Sequence, residues 1–328
     1  MGLSWRIQCG TQLADRRNHV RIHTETSADQ MDKEILTKMN AKKEKIIEKL
    51  TVVFMLAYGI HYFGYFIRVR YFNWLGSMAL DPGLSHAMKY LGHLFFLGAM
   101  MIYAWAVKKD RHYFFSFWKE RTADKLKYGV LGLLFGAFLM GSCIFGAWMH
   151  GDIEIHGASG GNLPVLLFAV LCVFLQSATE EIQDRAFVFG KAFQEGVPFL
   201  PAMAVSAFFF SYLHAANPGY GILPFINLLT SGVMYVLSYY YFDSLWFAIT
   251  AHTAWNYMQD FLFGLPNSGK PAAVSFMSTT VNGSSFFYDQ QFGIEGSWMS
   301  ILIHILACLF LILIGRRLCK KRALQNGR

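Results

Sequence analysis

The stretch Glu180-Glu181-Ile182-Gln183-Asp184-Arg185 interrupts an apolar run that begins at Leu163 and resumes at Ala186-Phe187-Val188-Phe189. Ionisable groups are costly at membrane depth, so adjacent carboxylates in such a run point to function, and a sheltered carboxylate suits a general base. In a helix Glu181 and Arg185 stand four residues apart on one face, a natural ion pair. Glu180 then lies about 100° round the helix without that partner. Taken alone, the same charges read equally well as the end of a span at the cytoplasmic face. Two further runs bear on the choice. Phe210-Ser211-Tyr212-Leu213-His214 closes one, and His252 and Asn256 lie within another, four apart and therefore on one helical face. His61, His93 and His304 stand singly in other runs and are read as packing or hydrogen-bonding residues.

The elements that must position these groups follow from composition. Of 328 residues 54% are hydrophobic and only 15% charged, with a mean hydropathy of +0.32. Uncharged stretches fall at roughly 50–67, 90–107, 128–149, 163–179, 197–213, 220–242, 244–259 and 296–315, each near the ~20 residues that cross a bilayer as a helix. They are continuous rather than alternating, which excludes a transmembrane barrel. The expected fold is an all-α polytopic transmembrane bundle of about eight spans. Its net charge of +8 comes from clusters at span ends: Lys42 to Lys49, Lys108 to Lys127 and Arg316 to Arg322. With eight spans these fall on one side, which the positive-inside rule makes cytoplasmic, so both termini are expected there. No nucleic-acid partner is needed to explain the charge.

Residues 1–45 are expected to be a disordered cytoplasmic tail with Met31 and Met39 as alternative starts, 46–318 a membrane domain, and 319–328 a basic cytoplasmic tail. The start Met1-Gly2-Leu3-Ser4-Trp5-Arg6 lacks a myristoylation pattern, and Cys9, Cys143, Cys172, Cys308 and Cys319 are expected to be free thiols. A long loop at about 263–295 reads as a lid or as a solvated connector. Gly132 and Gly136 form a G-x-x-x-G pair, a signal for close helix packing.

In their order along the chain, Glu180-Glu181 with Arg185, Phe210 with His214, and His252 with Asn256 resemble the CPBP family of CAAX prenyl endopeptidases and bacteriocin-processing (Abi) enzymes. Ser244-Leu245-Trp246 and Trp255-Asn256-Tyr257 look alike too, and the resemblance covers the motif core at roughly 163–262. Two positions depart from the pattern: Ala186 and Asp260 stand where relatives commonly carry glycine. The resemblance implies an intramembrane endopeptidase located in a bacterial plasma membrane, acting on a membrane-embedded or membrane-anchored peptide. It implies that Glu180 and His214 position and deprotonate a water, that His252 and Asn256 stabilise the oxyanion, and that Glu181 with Arg185 orients the site.

The zinc-helix and aspartyl peptidase chemistries lack their motifs, since the chain has no His-Glu-x-x-His and no Gly-x-Gly-Asp. No metal is favoured; a zinc version would use Glu180, His214 and His252. The rival classes are a transporter with buried charges lining an ion path, and a non-proteolytic immunity or scaffold protein.

Overall fold

A computed structural model of the chain describes residues 25–158 and 162–326. Helix α1 spans Glu25–Gly76. Residues 25–45 are therefore helical, which corrects the expected disordered tail over that stretch, and residues 1–24 with Cys9 lie outside the described residues. Helices α2 (Pro82–Leu91) and α3 (Leu94–Ala106) form one span broken at Gly92-His93. A short α4 (Arg111–Phe115) leads to α5 (Thr122–His150). Helix α6 (Leu163–Glu181) runs on as a π-helix over Ile182–Phe189 and as α-helix to Gln194. Helices α7 (Phe199–Tyr212) and α8 (Ile222–Phe242) follow. Helix α9 (Leu245–Tyr257) continues as a π-helix over Met258–Leu262, and α10 spans Trp298–Asn326.

Each expected span has become helical, and among the described residues six helical stretches are long and apolar enough to cross a membrane. The exceptions are α7 and α9, which lead to His214 and carry His252. With 14 residues, α7 rises only about 21 Å, short of ~30 Å of hydrocarbon. It starts at Phe199 with Pro201 in its first turn, because proline there removes only an N–H that has no helical partner. Large apolar side chains such as Phe138, Phe145, Leu306 and Leu313 are exposed on α5 and α10, as lipid-facing surface requires. The chain is an integral membrane protein.

The G-x-x-x-G pair sets the closest helix contact. A Cβ on Gly136 would lie 2.1 Å from the Ala251 carbonyl oxygen, and one on Gly132 would lie 2.2 Å from that of Phe247. Helix α5 thus packs backbone to backbone on α9, and Thr250 Oγ1 donates across the seam to Gly129 O at 2.7 Å.

Strand β1 (Ile153–Ala158) pairs antiparallel with β2 (Met277–Val281), Ile153 opposite Val281. The 263–295 segment is consequently packed rather than a solvated connector, with Tyr288, Phe292 and Ile294 fully buried. Cys143, Cys172 and Cys308 are free; Cys319 is disulfide-bonded, which corrects its expected free thiol.

Candidate active site

Continuation of α6 past Glu181 resolves the depth of the carboxylates. They fall within a helical stretch of 32 residues, Leu163–Gln194, rather than at its end. Glu181 and Arg185 pair as expected, with Arg185 Nε 3.1 Å from Glu181 Oε2 and both side chains fully buried. The guanidinium also reaches Asp184 at 3.2 Å and lies over the Phe210 and Tyr235 rings, 4.5 and 5.1 Å from their centroids. The wider π-turn that follows is closed from outside by Ser206, whose hydroxyl donates to Asp184 O at 2.6 Å. π-Segments commonly mark functional sites, and both here begin directly after a motif, at Ile182 and at Met258.

Glu180 points elsewhere. His93 Nε2 stands 3.2 Å from its Oε1 and His252 Nε2 stands 3.8 Å from its Oε2. Oε2 is buried and has no hydrogen-bond partner among the described residues. His252 hydrogen-bonds Glu181 Oε1 through Nδ1 at 2.9 Å, so the Glu181–Arg185 pair fixes its ring. His214 lies two residues beyond α7, its Nδ1 2.9 Å from Phe210 O. Asn256 donates to Gln176 Oε1 at 3.0 Å.

Glu180, His214, His252 and Asn256 line one cavity of about 300 Å³. Glu181 and Arg185 lie behind it. Among the walls that sequence reasoning missed are His93, Gln176, Arg68 and the Asn267–Pro271 segment. Only His93 carried a usable signal, since Gly92-His93 interrupts an apolar run. The two departures from the family pattern also find places. Ala186 is buried in the core. Asp260 is fully buried and accepts hydrogen bonds from His86 at 2.7 Å and from Tyr90 at 2.5 Å. Glu295, from the long loop, accepts from Trp255 Nε1 at 3.2 Å and from the Ser268 backbone at 2.8 Å.

Among the described residues no three His, Cys, Asp or Glu side chains are arranged to hold a metal ion.

Fold and site together define an integral membrane bundle with a polar, carboxylate-bearing cavity enclosed by its helices. Residues 162–258 match the family described as type II CAAX prenyl endopeptidase Rce1-like, in agreement with the CPBP resemblance. That match takes in Glu180, His214, His252 and Asn256 and supports an intramembrane protease of CAAX type. No curated protein and no solved structure matches the chain.

Proposed function

We propose that the chain is an intramembrane endopeptidase that hydrolyses a peptide bond of a membrane-embedded or membrane-anchored substrate with water activated by Glu180. The observation that carries this is the free Oε2 of Glu180 in a cavity shared with His214, His252 and Asn256. The Phe210 carbonyl only accepts, so His214 Nδ1 bears the ring proton and its Nε2 offers a lone pair. One water can then donate to Glu180 Oε2 and to His214 Nε2, which leaves its own lone pair for the substrate carbonyl. Attack passes one water proton to Glu180, and the same proton goes on to the leaving amine as the carbon–nitrogen bond breaks.

The oxyanion needs donors placed beforehand. Asn256 has a second amide N–H beyond the one given to Gln176. His252 donates through Nδ1 to Glu181, so it can offer an Nε2–H only as an imidazolium. Glu181 is in turn held by Arg185, so the His252 ring keeps one orientation in the cavity. Glu180, His214, His252 and Asn256 meet in one pocket rather than along a path, which favours the peptidase reading over the transporter alternative. Comparing membrane proteomes of cells making the wild type or Glu180→Gln tests the reading. A truncated product present only with the wild type is expected, and identical proteomes would overturn it.

A further inference from the structure

We propose that His93 is a positioning residue for Glu180: the two share a single proton, which keeps Oε1 occupied and turns Oε2 toward the water. The inference rests on the base role of Glu180 argued above but stands on separate geometry. His93 Nδ1 lies 3.0 Å from the carbonyl oxygen of Tyr90, which can only accept, so Nδ1 carries a hydrogen. A neutral His93 then has a lone pair on Nε2, and that atom is 3.2 Å from Glu180 Oε1. An ionised carboxylate also offers only lone pairs. Two acceptors at this distance repel unless one proton lies between them. His252 Nε2, at 3.8 Å, is beyond hydrogen-bond reach of Glu180.

The platform under His93 is built to hold this geometry. His93 sits at the break between α2 and α3, where its N–H donates to Tyr90 O at 3.1 Å and its own carbonyl accepts from Phe96 and Leu97 at the start of α3. Tyr90, whose carbonyl fixes Nδ1, donates its hydroxyl to Asp260 at 2.5 Å and accepts from Asn267 Nδ2 at 3.0 Å. Asp260 lies four residues beyond Asn256 on the extension of α9. A continuous chain of contacts therefore runs from the helix of the oxyanion donors, through Asp260, Tyr90 and His93, to the base. The charged and titratable groups facing the pair are Arg68 and His61 of α1, Asp184 of the π-segment after α6, His214 after α7, Tyr235 of α8, His252 of α9, and Lys270 and Glu295 of the long loop. Of the cationic groups among these, only His252 comes within 4 Å of Glu180.

The test uses the full chain with ¹⁵N-labelled histidine in lipid nanodiscs, the His93 signals being those lost in His93→Gln. In the wild type both His93 nitrogens should resonate as proton-bearing or proton-sharing. In Glu180→Gln the amide N–H can donate to a neutral ring, so Nε2 should move to the lone-pair range. An Nε2 signal unchanged by Glu180→Gln would overturn the proposal. Should that variant fail to assemble, isotope-edited infrared of the Glu180 carboxyl in His93→Gln carries the same information, and an unchanged band would be equally fatal. On the product identified by proteomics, His93→Leu should lower kcat about a hundredfold, the scale of an ångström of misplacement, with KM little changed. His93→Gln keeps a donor to Oε1 but no positive charge, so it should recover part of kcat and move the acid limb of the pH profile upward. Equal loss in both variants with the acid limb unmoved would leave His93 a packing residue and defeat the proposal. Absence of any product would defeat the peptidase reading alone, since the nitrogen shifts are read without substrate.

Discussion

At the site, two adjacent glutamates of identical chemistry face different partners. Glu181 is enclosed by Arg185 and His252 and can only orient, whereas Glu180 opens on the cavity with one oxygen free. Removal of either proposed oxyanion donor, His252→Ala or Asn256→Ala, should leave substrate bound and lower turnover by roughly a hundredfold or more, measured as kcat on the purified product-forming reaction. Arg185→Ala should behave differently. It removes the cation between the buried Glu181 and Asp184 carboxylates, so a loss of roughly 3–5 kcal/mol is expected, visible as reduced folded protein in detergent before any assay of activity. Thorough chelation separates the chemistries: water activated by a carboxylate alone keeps its full rate without stoichiometric metal, and activity restored only by added zinc would refute it.

Among the elements, α9 bears the greatest demand. It presents His252 and Asn256 to the cavity on one face while its Phe247 and Ala251 carbonyls meet the Gly132 and Gly136 positions of α5. A side chain at Gly136 would collide with backbone, which cannot rotate away. Gly136→Val should push α5 and α9 apart and lower both thermal stability and activity, while Gly141→Ala, whose added Cβ would lie 3.8 Å from the nearest atom, the Met258 methyl, should change neither. A shift of melting temperature in detergent decides between them. Helical periodicity made the Glu181–Arg185 pair legible, and the pair survives the widening to a π-helix because both side chains are long. Neither π-segment was legible. No proline or glycine marks Ile182–Phe189 or Met258–Leu262, and the cause lies in side chains from other helices, such as Ser206 on the Asp184 carbonyl.

For the whole molecule, the connectors sort to two ends. At one, Lys191 pairs with Asp110 at 2.9 Å and Ser244 donates to Glu120 at 2.6 Å, within the region of the basic clusters. At the other lie the β1–β2 pair and the Asn267–Pro271 segment, and residues of that segment line the cavity. If the basic end is cytoplasmic, the cavity opens toward the opposite face. Cysteine labelling should accordingly find Ser278→Cys and Lys109→Cys on opposite sides, and labelling of both from one side would refute the two-ended topology.

Apolar run lengths determined the helical membrane architecture, because each run must satisfy its own backbone in lipid whatever its neighbours do. Residue type and spacing likewise determined Glu180, His214, His252 and Asn256 as candidates, since ionisable and amide groups in such runs need a reason to be there. Their convergence was decided by tertiary structure alone. The placing of His93 on Glu180, of Asp260 under Tyr90 and of Glu295 under Trp255 joins residues 87, 170 and 40 positions apart. No local period encodes such separations, which arise only when helices pack and each buried polar group must find a partner.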